Sequence, residues 1–191
     1  YVFINDKKEM ALENAAKVLK QMNDYLVENG ISDGLIVCFN DRGDRTDTNK
    51  NIQKLGAEIG RDRLGIFPYT WGTSACELNT QKAFINNAYN ISQGDGIDLL
   101  ALACIGFNRI GWYHETKYPL ISNEDLGLLL KWIKSDYLPR YSEDSASWKQ
   151  KFVQFATWNE YGEGHYFYPS NDNGGYDYLD TMAKELSGVS G

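Results

Sequence analysis

Short apolar runs alternate along this chain with longer stretches whose apolar residues recur at helical spacing. Tyr1 to Ile4, Leu35 to Phe39, Gly65 to Tyr69, Leu99 to Ile105 and Phe152 to Thr157 read as strands, apolar enough to be buried on both faces. Between the first two, Lys8 to Glu28 carries Met10, Leu12, Ala15, Val18, Leu19, Met22, Leu26 and Val27 close to helical spacing, and Gly30 ends it. This is the pattern of a βαβ crossover. Further helices are predicted at about Asn51 to Gly60, Gln81 to Gln93, Glu124 to Trp132 and Tyr176 to Leu186. The best-defined helix start is Ser122-Asn123-Glu124-Asp125, where the Ser hydroxyl can accept from backbone N–H groups and the acids suit the positive helix end, ahead of Leu126, Leu128, Leu129 and Leu130.

Strand and helix thus alternate to the end, which predicts an α/β fold with a parallel sheet in one domain over residues 1–191. Two architectures fit five βα units: an open doubly wound sheet, or part of a closed barrel that normally takes about 250 residues and eight strands. The polar run Asp41 to Asp47 follows a strand and reads as a solvated loop, because it lacks the ligand spacing and terminal Glu of a calcium loop. Gly94-Asp95-Gly96 lacks a phosphate-binding pattern and reads as a turn, and Ser142 to Ser147 as an exposed loop.

Composition narrows the function classes. The chain has 191 residues, 42% of them hydrophobic, enough for a real core. Its formal net charge of −7 and the absence of a basic stripe exclude a nucleic-acid partner, since phosphate binding needs concentrated positive charge. A neutral substrate fits better, and thirteen Tyr, five Trp and eight Phe offer flat amphipathic rings that suit sugar faces, although most aromatics pack in cores. Cys38, Cys76 and Cys104 are widely spaced, without a CxxC pair, and read as free and buried; they leave the compartment open. No apolar run reaches about 18 residues, so no membrane span is expected. The first residues resemble a strand and not a signal peptide, so the natural start is expected to lie further upstream.

Chemistry concentrates in Phe152 to Tyr166, where an apolar strand runs into Trp158-Asn159-Glu160-Tyr161-Gly162-Glu163-Gly164-His165-Tyr166. In parallel βα folds ligands gather beyond the carboxyl ends of strands, which is where Trp158 to Glu163 fall. Glu160 and Glu163, with Gly162 between them, can converge if the backbone turns. Like charges that close, beside Trp158 and Tyr161, favour one carboxyl as proton donor and one as anion, the division of labour that glycosyl transfer requires. An arbitrary Glu-x-x-Glu is more often just an exposed loop, and Trp158 can be read as core; it is the position directly off a buried strand that shifts the balance here.

These residues, followed by Pro169, Gly175 and Tyr178-Leu179-Asp180, resemble the C-terminal signature of glycoside hydrolase family 99-like proteins, and are similar also to family 71. Family 99 endo-α-mannosidases carry Asn-Glu-Trp-His-Glu-Gly and family 71 α-1,3-glucanases carry Trp-Asn-Asp-Tyr-Gly-Glu-Ser-His, with this sequence between them. The resemblance is densest over residues 152–180 and looser over Gly106-Phe107-Asn108-Arg109-Ile110-Gly111-Trp112. It implies a (β/α)₈ barrel of which this chain supplies the last five βα units, with three strands elsewhere. An incomplete barrel exposes two sheet edges, so association with the missing barrel half or another copy is expected. It further implies that Glu163 is the general acid/base and Glu160 its partner. In family 99 that partner deprotonates the sugar's own 2-hydroxyl to give a 1,2-anhydro intermediate, whereas in a family 71-like pathway water attacks directly.

Trp158, Asn159, Tyr161, His165 and Tyr166 are the expected substrate contacts in the motif. Asn40, Tyr69, Trp71, Asn108, Arg109 and Trp112 join them as residues at or just beyond other strand ends. Trp71 and Trp112 are as readily core residues as sugar platforms, Arg109 can equally brace a carboxylate, and His114 reads as a loop residue. Two histidines without ligand spacing argue against a metal site, and no cofactor is implied. The expected activity is cleavage of an α-linked glycan or polysaccharide, with a secreted or cell-surface setting favoured. Two other readings stay open: a glycan-binding fragment without turnover, and a glycosyltransferase of surface-polysaccharide synthesis, which a requirement for a nucleotide sugar would reveal.

Overall fold

The structure, a computed structural model, describes residues 2–4, 14–40, 46–68, 77–95, 97–106, 120–141, 152–158, 166–171 and 174–187. They form an α/β arrangement with parallel strand pairing throughout its two sheets. In chain order the elements are β1 (Val2–Ile4), α1 (Ala15–Glu28), β2 (Val37–Asn40), α2 (Thr46–Ile59), β3 (Leu64–Phe67), α3 (Leu78–Asp95), β4 (Asp98–Leu99), β5 (Ala101–Cys104), α4 (Asn123–Trp132), β6 (Val153–Ala156) and α5 (Asp177–Leu186). The chain divides into two compact units: residues 1–69 with 89–100, and residues 70–88 with 101–191.

The first unit holds a sheet of order β1-β2-β3-β4. Val37 pairs with Leu64 and Asn40 with Phe67, and every residue of β2 and β3 is buried, as strands covered on both faces require. α2 buries Ile52, Leu55 and Ile59 at helical spacing. Gly56 lets that helix approach β3, because a Cβ there would lie 2.9 Å from Leu64 Cδ1. α1 ends as expected at Gly30, whose φ of 63° is left-handed. Its apolar stripe is less buried than its spacing suggests: Leu19 is buried, but Val18, Met22 and Val27 remain roughly half exposed. A polar contact ties this helix to the strand that follows, with Leu35 N–H donating to Asn23 Oδ1 at 2.9 Å.

The second unit contains the parallel pair β5-β6, in which Ala101 pairs with Val153 and Cys104 with Ala156. Leu126, Leu129 and Leu130 of α4 and Ile133 just beyond it are buried, and Ser122 Oγ accepts from Asp125 N–H at 3.0 Å, the cap expected at this start. α4 and α5 run side by side in the same direction: Tyr178 O–H donates to Ile121 O at 2.6 Å near their starts, and Lys131 lies 3.6 Å from Glu185 near their ends.

At the end of β5 a side chain replaces a neighbouring strand. Gln81 of α3, wholly buried, donates from Nε2 to Cys104 O at 2.6 Å and accepts from Cys104 N–H at 3.0 Å through Oε1, the two bonds a peptide group would make. Gln81→Leu would strand a buried donor and a buried acceptor, so we expect a loss of about 2–4 kcal/mol, read from urea unfolding; an unchanged midpoint would mean that other groups take over both bonds.

Several expectations need correction. Leu99 to Ile105 is not one strand, because Leu100 N–H turns to Ile66 O at 2.8 Å and separates β4 from β5. Thr46 and Asp47 belong to the first turn of α2 and not to a loop. Gly94 and Asp95 end α3 instead of forming a turn. After α4 the backbone widens into a π-helical turn, Ile133–Tyr137, and then tightens into a 3₁₀ turn, Leu138–Tyr141. Cys38 and Cys104 are buried as expected. Cys76, His114, the beginning of the first predicted helix, Asp41 to Arg45 and the Ser142 to Ser147 loop lie outside the described residues.

Candidate functional site

β6 leads into the acid-bearing segment, and its flanks are well defined on both sides. Side chains alternate along a strand, so Phe155 points to the face opposite Gln154 and Ala156. On its side Phe155 meets Phe167 edge to face at 5.5 Å, and Phe167 meets Tyr178 of α5 at 6.0 Å. Phe167 and Tyr178 are almost wholly buried, so an aromatic wedge joins the last strand, the returning chain and the last helix. On the opposite face Gln154 Oε1 is buried without a hydrogen-bond partner.

Beyond β6 the Ala156–Thr157 peptide is cis. Phe167 N–H donates to Thr157 O at 2.8 Å and Tyr168 N–H to Trp158 O at 2.9 Å. These two bonds hold Phe167 and Tyr168 beside Thr157 and Trp158 at the carboxyl end of β6. The chain then makes an antiparallel bridge, Ser170 with Gly175, closed by Gly175 N–H to Ser170 O at 2.7 Å, before entering α5.

Three of the anticipated site residues are described. Trp158 is 54% exposed and meets Tyr168 edge to face at 5.5 Å and 81°. Tyr166 is buried, its hydroxyl 3.4 Å from Ser170 Oγ. Asn40, the last residue of β2, is buried in the first unit. Glu160, Glu163, Asn159, Tyr161, His165, Tyr69, Trp71, Asn108, Arg109 and Trp112 lie outside the described residues. Tyr168, 45% exposed, was not anticipated; its place in His-Tyr-Phe-Tyr-Pro, the same aromatic run as Tyr166, is the signal that could have marked it.

The electrostatics of the supporting wedge give a test. Burial pushes the Tyr178 phenol up to about 12, and in the unfolded chain it returns to the ordinary 10. The folded state therefore holds the proton longer, so this stabilisation is complete below pH 10 and is lost as pH rises toward 12. Urea midpoints should fall across that window, and Tyr178→Phe should lessen the fall. An identical slope in both proteins would place the alkaline sensitivity elsewhere.

Among the described residues no cluster of three or more His, Cys, Asp or Glu is placed to hold a metal ion, and no helix is long and apolar enough to cross a membrane. No protein-family model, curated protein or solved structure matches the chain.

Proposed function

We propose that this chain is the C-terminal part of a (β/α)₈-barrel glycosidase, similar to families 99 and 71, that cleaves α-linked glycan between Glu160 and Glu163. The observation that carries the reading is the pair of backbone bonds, Phe167 to Thr157 and Tyr168 to Trp158, that bring the residues before and after the acidic sequence together at the carboxyl end of β6. Parallel strands with ligands beyond their carboxyl ends fit a sugar site there, and an exposed indole at its border suits a neutral ring.

In this reading Glu163 gives its proton to the leaving glycosidic oxygen as the bond to the anomeric carbon breaks. Glu160 takes the proton of the sugar's 2-hydroxyl, whose oxygen bonds the anomeric carbon as a 1,2-anhydro sugar. Glu163, now ionised, takes a proton from water that opens this ring, and Glu160 returns its proton to O2. Both carboxyls end as they began, with net retention. The remaining walls come from the missing barrel half or another copy, which would also cover the second edge of β6, beside which the described residues place no strand.

The test is to incubate the complete protein with α-mannan and α-1,3-glucan in buffer alone and with added nucleotide sugars, following reducing ends and chain length. Cleavage in buffer alone is expected. Chain extension that depends on the nucleotide sugar would replace hydrolysis with synthesis, and binding without either would make this a glycan-binding fragment.

A further inference from the structure

Among the described rings of the second unit Trp158, Tyr168 and Tyr176 are exposed, and the first two, at 54% and 45%, lie on either side of the acidic segment in sequence and meet each other. Their arrangement is fixed from below. Tyr168 N–H donates to Trp158 O at 2.9 Å, and the rings meet nearly perpendicular, at 81° with centroids 5.5 Å apart. Phe167, between Tyr168 and the buried Tyr166, locks the intervening backbone into the core. Two rings held open to solvent by backbone and by each other lose little freedom when something settles on them, and such preorganised aromatics bind at low entropic cost.

We propose that Trp158 and Tyr168 form a stacking platform for a hexopyranose unit of a neutral glycan at the carboxyl end of β6. This rests on the glycosidase reading for the acids, but not for the rings. A pyranose offers a C–H face to an aromatic ring while its hydroxyls remain in water, which suits half-exposed rings better than it suits a lipid chain that needs full burial. The charge of −7 disfavours phosphates, nucleic acid and anionic membranes as occupants. A perpendicular pair presents one ring face and one ring edge, so a single sugar unit, and not a flat stacked base, matches its shape.

The test uses the complete protein carrying Glu163→Gln, so that polysaccharide persists, run through native gels containing soluble α-mannan or α-1,3-gluco-oligosaccharides. The parent should be retarded in at least one gel. Trp158→Ala and Tyr168→Ala should each weaken the retardation about fivefold or more, as lost ring contact predicts. Tyr168→Phe, which keeps the ring, should stay within about twofold of the parent. Thermal melts check the fold. Should an alanine variant not fold, the platform is read instead from indole fluorescence, which glycan should perturb more in the parent than in Trp158→Phe, and equal perturbation in both overturns it. Full retardation of both folded alanine variants overturns the platform, as does a parent retarded by neither glycan. Ring-dependent binding without any cleavage by the unmutated protein leaves the platform standing and removes the glycosidase reading.

Discussion

Glu163→Gln in the complete protein is expected to slow release of reducing ends from α-linked polysaccharide at least about a hundredfold, within the 10²–10⁴ that a positioned acid/base contributes. The amide keeps the side chain's size and hydrogen bonding but has no proton to give, so the loss falls on the step in which an alkoxide would otherwise leave. Substrates whose leaving group needs no proton separate this role from a structural one: with an aryl glycoside bearing an acidic phenol, kcat/KM for phenol release, which precedes the ring opening that also needs Glu163, should lose much less than with polysaccharide. Glu160→Gln should be impaired on both, because removing its carboxylate affects bond formation at the anomeric carbon whatever group departs. Equal losses of kcat/KM for Glu163→Gln on both substrates would mean that Glu163 is not the proton donor.

The second large effect is on the scaffold. Phe167→Ala should destabilise the protein by about 3–5 kcal/mol, the range for emptying a buried aromatic site. Phe167 is 2% exposed and touches Phe155 of β6 and Tyr178 of α5, so no single element can relax into the hole without leaving the others. Its backbone N–H also makes one of the two bonds that hold the returning chain beside Thr157 and Trp158, so glycan cleavage should fall with stability, even where the variant remains folded. Urea unfolding and residual activity at low temperature check the two halves of this expectation. A loss under about 1 kcal/mol would mean that the wedge does not hold these elements together.

The strands were legible in the sequence because parallel strands covered on both faces are apolar at every position, and Leu35 to Phe39 or Gly65 to Phe67 have few other ways to be buried. The helices were legible from spacing, and the α4 start from the chemistry of Ser122, while their ends moved by a few residues as polar first and last turns joined them. What escaped is what depends on distant partners. Nothing local in Gln81 tells that its amide will stand in for a strand beside Cys104, and nothing in Leu100 tells that its N–H will turn to Ile66. The π-helical turn was hidden for the same reason: it brings Tyr137 and Tyr141 together, hydroxyls 3.0 Å apart, under the guanidinium of Arg140, which lies over Tyr137 and Trp132.

Of the candidate site, the strand that leads into it was legible: Trp158 falls where the end of an apolar strand places it, while the return of the chain at Phe167 and Tyr168 beside Thr157 and Trp158 depends on contacts that the motif does not carry. Tyr166 is a reminder of how aromatics divide: neighbours in sequence, Tyr166 and Phe167 pack inward while Tyr168 stands out, and composition counts them alike. The platform was therefore assigned from exposure, not from residue type.

The central claim is that Glu160 and Glu163 serve one glycosidic bond, and a double-variant comparison addresses it most directly. Rates of α-glycan cleavage would be measured for the complete protein, for Glu160→Gln, for Glu163→Gln and for the two together. Groups that act as a unit are strongly non-additive, so the double variant should be about as slow as the slower single variant. Losses that multiply independently, or a single variant that retains full activity, would contradict the claim.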